Sequence, residues 1–156
     1  MNSNILIIGV GNAYRSDDAA GLMVVSLLEE KAIEEIKTHR ESGEGTALIE
    51  CWKDAETVFL IDAVSSRSQP GTIFRFDAVR ETIPTKFFRY STHAFSVAEA
   101  IELARTLDQL PNCLIVYGIE GANFDAGVEL TPEVEKAVNE VTDRLLADIL
   151  TIKKQQ

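Results

Sequence analysis

The stretch Ile5-Leu6-Ile7-Ile8-Gly9-Val10-Gly11-Asn12 belongs to a near-continuous aliphatic run over residues 4–9, followed by a glycine-rich turn. A strand with one face in water alternates apolar and polar residues. A run without that alternation predicts a strand buried on both faces, as in a parallel sheet clothed by helices. Two further segments have the same character. Val58-Phe59-Leu60-Ile61 is stopped by Asp62, and Cys113-Leu114-Ile115-Val116-Tyr117 follows later. Between them lie helix-like stretches. After Ser16, Leu22, Val25, Leu27 and Leu28 recur at roughly helical spacing and lead into the Glu-Lys-rich segment 29–37.

Weaker elements complete the pattern. A poor strand is expected near 36–41, and a short helix over 46–54 with Leu48, Ile49 and Trp52 on one side. Pro70-Gly71 is a turn signal before the alternating Thr72-Ile73-Phe74-Arg75-Phe76, which suits an edge strand. Residues 93–107 read as a helix. Thr131-Pro132 opens the last one, with a capping hydroxyl and proline in the first turn. That helix continues through Val134, Val138, Val141, Leu145 and Ile149. Strand and helix alternate throughout, which predicts an α/β three-layer sandwich around a mainly parallel sheet of about five strands. No repeat or linker divides residues 1–156, so one domain is expected.

Composition narrows the function classes. With 46% hydrophobic and 26% charged residues the chain has the make-up of an ordinary globular protein. Its 15 basic and 25 acidic residues give a formal charge of −10. Such a surface repels phosphate backbones and anionic lipid, so neither nucleic acid nor membrane is an expected partner. The first apolar run is too short for a signal or membrane segment. Cys51 and Cys113 lack CxxC spacing and offer neither a disulfide framework nor a zinc knuckle. The expectation is a reducing, cytoplasmic setting.

In open α/β sheets, ligands collect beyond the carboxyl ends of the strands. Three segments stand there. Gly9-Val10-Gly11-Asn12 precedes Arg15-Ser16-Asp17-Asp18 and Gly21, but Tyr14 replaces the third glycine of a dinucleotide fingerprint, and two aspartates would repel a pyrophosphate. One of these aspartates can compensate the helix dipole while the other points into the cleft. Asp62 ends a buried strand, where a carboxylate needs solvent, a partner or a ligand; a turn or cap role is the alternative. Ser91-Thr92-His93-Ala94 places His93 at the start of a helix, where imidazolium is disfavoured and the neutral, metal-binding ring is expected. A histidine hydrogen-bonded near a cap is the plainer alternative. His39, in Lys37-Thr38-His39-Arg40, reads as surface. Together Asp18, Asp62 and His93 form a mixed oxygen and nitrogen set suited to nickel, zinc or manganese, with positions left for water or substrate.

At these segments the sequence resembles the maturation endopeptidases of nickel–iron hydrogenases. Ile8-Gly9-Val10-Gly11-Asn12 with Asp17-Asp18-Ala19-Ala20-Gly21 looks like the family's N-terminal signature. Leu60-Ile61-Asp62-Ala63-Val64, Pro70-Gly71-Thr72, Ser91-Thr92-His93 and Leu130-Thr131-Pro132-Glu133-Val134-Glu135 match its later segments in order. The resemblance implies a twisted sheet between helices. It assigns the metal-contacting and catalytic positions to Asp18, Asp62 and His93, with their roles not separable. It also implies a large-subunit precursor as partner, cut at its C-terminal extension after nickel insertion. Nickel would then arrive with the substrate, and no organic cofactor is expected. One departure concerns the loop after the second strand, where the family's Asp-Gly-Gly-Thr-like stretch is replaced by Glu41-Ser42-Gly43-Glu44-Gly45-Thr46. Gly45 and Thr46 align, the acidic position falls on Glu41 or Glu44, and this loop is the candidate for selecting the substrate.

The chain has no HExxH and no GxSxG elbow, and no Cys–His–acid set is convincing from its sequence. Cys113 and Cys51 are expected in packed positions. Two other readings compete. A phosphoacceptor receiver domain also gathers acids at strand ends, but its acidic pair follows the first strand directly and its last strand precedes a lysine, absent from Tyr117-Gly118-Ile119-Glu120. A non-enzymatic nickel chaperone would use the same three ligands and bind without cutting.

Overall fold

The computed structural model describes residues 4–42, 45–84 and 97–155. The elements run β1 (Ile5–Val10), a 3₁₀ turn (Ser16–Ala19), α1 (Ala20–Glu30), β2 (Ile36–Glu41), α2 (Gly45–Trp52), β3 (Thr57–Val64), β4 (Ile73–Asp77), α3 (Val97–Thr106), β5 (Cys113–Glu120) and α4 (Pro132–Lys154). The five strands form one sheet in the order β2-β1-β3-β5-β4. All pairings are parallel except β4 with β5, and β4 lies at an edge. The expected α/β three-layer sandwich is therefore what the chain adopts.

The two faces of the sheet carry separate cores. Ile5, Ile7, Phe59, Ile61, Tyr117 and Ile119 pack with Val24, Val25 and Leu28 of α1 and with Val134, Val138, Val141, Leu145 and Ile149 of α4. Leu6, Ile8, Val58, Leu60, Leu114 and Val116 pack on the other side with Leu48 and Trp52 of α2 and with Ala100, Ile101 and Ala104 of α3. Side chains of a strand alternate between faces, so consecutive apolar residues serve both cores. That is the physical reason for the unbroken aliphatic runs in β1, β3 and β5.

β3 departs from expectation at its end. The strand does not stop at Asp62: it continues through Val64, pairing Asp62 with Gly118, Ala63 with Ile119 and Val64 with Glu120. Strand period puts Asp62 on the same face as Leu60 and Val64, the face covered by α2 and α3. The carboxylate is thus held by a regular strand and not by a turn.

Leaving β1, the chain enters β2 on one side of it and then crosses back to β3 on the other. The carboxyl ends of β1 and β3 therefore flank the switch point of the topology, where such sheets open a crevice. α1 closes tightly on this region. A Cβ added at Gly21 would sit 2.2 Å from the Ile61 carbonyl oxygen, and one at Gly9 would sit 2.5 Å from the Gly21 carbonyl. Both glycines serve helix–sheet contact and not phosphate binding.

Candidate active site

Asp17 and Asp18 are separated by the way the loop after β1 turns. Ser16 takes a left-handed conformation with φ 51° and is buried. Such a conformation is uncommon for a residue with a side chain and persists only where its surroundings hold it. Here the Ser16 amide donates to the Gly127 carbonyl at 3.0 Å, and its hydroxyl donates to the Asp125 carbonyl at 2.8 Å. The loop over residues 121–131 thereby pins the start of the 3₁₀ turn.

Asp17 turns inward to that same loop. Its carboxylate accepts from the amides of Ala122 at 2.8 Å, Asn123 at 2.9 Å and Thr131 at 2.8 Å, and from the Thr131 hydroxyl. It is fully buried. Backbone donors solvate the charge that water no longer reaches. Thr131 does precede α4 in extended conformation, but its hydroxyl makes no cap bond to the helix. Asp17 takes that hydroxyl instead, which corrects the expected capping role.

Asp18 stays half-buried on the cleft side, where one carboxylate oxygen accepts from the Asn12 amide at 3.0 Å. It lies close enough to Asp62 for its charge to be felt there. Burial, first, and the neighbouring Asp18 charge, second, push the Asp62 carboxyl well above the usual carboxylate range, while the Ala63 amide opposes them. Part of Asp62 keeps contact with solvent, although protein surrounds it on most sides. Asp62 therefore resists ionisation where it stands beside a second acid, the kind of perturbed carboxyl that clusters at functional sites.

The fold therefore brings Asp18 and Asp62 together. His93 lies outside the described residues, as does Glu44, and α3 follows at Val97. Of the other loop candidates, Glu41 ends β2, Gly45 is buried at the start of α2, and Thr46 beside it is exposed. The Glu41 carbonyl accepts from the Gly11 amide at 3.0 Å, tying the end of β2 to the loop that carries Asp18. Sequence reasoning missed the socket around Asp17. It also missed that His39 and Glu41 share one face of β2, their side chains 2.6 Å apart, although spacing of two along a strand is the available signal. Both cysteines are free and partly buried, Cys51 packed against the core as expected. Burial, with Glu41 as the lesser cause, pushes the Cys51 thiol up to about 11, which argues against a nucleophilic thiolate there.

A parallel α/β domain with paired carboxylates at its switch point defines a class of proteins that gather a cation or a polar substrate at strand ends. Comparison with known proteins makes the assignment specific. The family model described as hydrogenase maturation protease matches residues 41–148, and the chain belongs to that family. It is 29% identical over 148 residues to the hydrogenase 2 maturation protease of Escherichia coli (strain K12), covering 92% of this chain and 88% of that protein. The nickel–iron hydrogenase maturation protease HybD of Thermococcus kodakarensis superposes with a TM-score of 0.65 at 26% identity, over 94% of this chain and 98% of that one. The hydrogenase maturating endopeptidase HybD of E. coli gives a TM-score of 0.76 over 95% of this chain and 93% of that one; at 22% identity this likeness bears on the fold alone. The protein is thus a hydrogenase maturation protease, an endopeptidase. Among the described residues, no helix is long and apolar enough to cross a membrane.

Proposed function

We propose that this endopeptidase removes the C-terminal extension of a nickel-loaded hydrogenase large-subunit precursor, and that Asp18, Asp62 and His93 read the nickel. The observation that carries the reading is the convergence of Asp18 and Asp62 at the switch point, with Asp62 strongly destabilised as an anion by burial and by Asp18. A divalent cation offsets both penalties at once, so the pair favours a substrate that brings one. His93 supplies the nitrogen donor that turns two oxygens into a set suited to nickel. The metal belongs to the substrate, and the ligands are surrendered when the product leaves.

Hydrolysis then adds a water oxygen to the scissile carbonyl, breaks the C–N bond and passes a proton to the departing amine. The water is activated by the substrate's metal or by one of the two carboxylates. A precursor without nickel is not held in place and is not cut. Glu41 lies at the carboxyl end of β2, and the segment Glu41–Thr46 that it opens selects the cognate subunit.

The test is a processing assay on purified protein and precursor, with and without inserted nickel, read by intact mass. Loss of a C-terminal peptide from the nickel-loaded form alone is the expected result, and Asp18→Ala or His93→Ala abolishes it. Normal cleavage by both variants would overturn the site. Binding of the loaded precursor without any change in mass, across cognate candidates, would overturn the proposed substrate.

A further inference from the structure

Beyond the Asp18–Asp62 cleft, the end of β2 and the adjoining α2 bring together three side chains of different metal-binding chemistry. A nitrogen of His39, a carboxylate oxygen of Glu41 and the sulfur of Cys51 all lie within 4.8 Å of one another. We propose that His39, Glu41 and Cys51 form a second metal site, selective for a thiophilic divalent cation of the nickel, cobalt and zinc type.

The donors come from two elements of fixed geometry. His39 and Glu41 stand two residues apart on β2, which puts both side chains on one face, and their Nε2 and Oε1 atoms are already 2.6 Å apart. Cys51 comes from the last turn of α2, whose neighbours Leu48 and Trp52 are locked in the core. Donors around a tetrahedral metal stand roughly 3.5 Å apart, given bond lengths of about 2.0 Å to nitrogen or oxygen and about 2.3 Å to sulfur. The 2.6 Å pair has to open and any gap near 4.8 Å has to shorten towards that spacing, changes of a size that side-chain rotation supplies.

Charge and hardness decide which ion fits. A neutral imidazole, a carboxylate and a thiolate carry two negative charges, which match one divalent cation. A sulfur donor discriminates against magnesium and calcium, which prefer all-oxygen shells. The imidazole side is open, with the His39 side chain 46% exposed and that of Glu41 18% exposed. Three protein ligands and an open side leave a fourth position for water or for a donor from another molecule, the pattern of an exchangeable site and not of a closed structural one. Binding displaces the Cys51 thiol proton to solvent and no other covalent change is involved.

The site is independent of the nickel-reading proposal, because it shares no ligand with Asp18, Asp62 or His93. Cobalt(II) titration of the full-length, metal-free protein under a non-chelating reductant separates the two. Coordination by sulfur produces a thiolate-to-cobalt charge-transfer absorption that an oxygen and nitrogen site cannot give. The expected result is one equivalent of cobalt with that absorption, reversed by zinc. Cys51→Ser abolishes the band, and His39→Ala weakens cobalt binding roughly tenfold or more. Cys113→Ser and the double variant Asp18→Asn/Asp62→Asn keep it. Should Cys51→Ser perturb the core, the surface substitution His39→Ala carries the same test with its fold verified by circular dichroism. Absence of the band in the parent protein, or its survival in Cys51→Ser with loss in Cys113→Ser, would overturn the proposal.

Discussion

Asp17 and Asp18 are neighbours in sequence and opposites in the fold. Asp17 is fully buried, yet three backbone amides and a hydroxyl converge on it, so its charge is solvated by protein. Asp18 is more exposed, yet its charge bears on Asp62, whose ionisation both burial and Asp18 oppose. The difference lies in the neighbours each carboxylate meets. An acid ringed by backbone donors fixes a loop, whereas an acid set beside a second acid is costly to ionise and suits a cationic ligand.

The largest effect should come from neutralising the crowded side. Asp62→Asn keeps the shape of the side chain and removes the charge that burial and Asp18 oppose. Processing of a nickel-loaded precursor should fall by about a hundredfold or more. The urea midpoint, in contrast, should stay level or rise, because an ion that was costly to bury is gone. A variant that loses stability in step with activity would mean that Asp62 is structural, and the contrast with Asp17 would collapse.

The satisfied side predicts the reverse. Asp17→Ala strands the amides of Ala122, Asn123 and Thr131 without their acceptor, at roughly 1–3 kcal/mol for each buried donor that water does not reach. A loss of about 3 kcal/mol or more in urea unfolding is expected. The protein that remains folded at low temperature should still cleave, since the Asp17 carboxylate is engaged by the loop over 121–131. Full stability of this variant would show that the loop over 121–131 is held by other contacts, such as those of Ser16 to Asp125 and Gly127.

This contrast also marks how far the sequence could be read. β1, β3 and β5 were legible because residues buried on both faces leave an unbroken aliphatic run. The resemblance across ordered motifs led to Asp18 and Asp62. The continuation of β3 past Asp62 was not legible, because it depends on Gly118, Ile119 and Glu120 arriving alongside. The Asp17 socket was hidden for the same reason: its donors lie 105 to 114 residues further along the chain. Local patterns could say only that one aspartate of the pair would serve the helix and the other the cleft. The strand order was likewise invisible, since hydrophobic runs carry no record of which neighbour they pair with.

A third polar group buried for structure sharpens the comparison through pH. The Tyr117 hydroxyl donates to Asp148 at 2.6 Å beneath α4, and Arg75 donates to the same phenol oxygen at 3.2 Å. Burial, first, and the bond to Asp148, second, push the phenol up to about 12 from its ordinary value of 10.0. A raised acid binds its proton more tightly in the folded chain than in the unfolded one. The stabilisation is therefore complete below about pH 10 and is lost as pH rises towards 12, on the order of 2 kcal/mol in all. Tyr117→Phe should remove that part of the alkaline decline, so the stability curves of parent and variant should converge as pH climbs through this window. Parallel curves would show that the phenol titrates alike in both states, and would leave Asp148 and Arg75 paired without it. The processing reaction at neutral pH should be unchanged, because this network lies under α4 on the face of the sheet opposite to the one bearing Asp62.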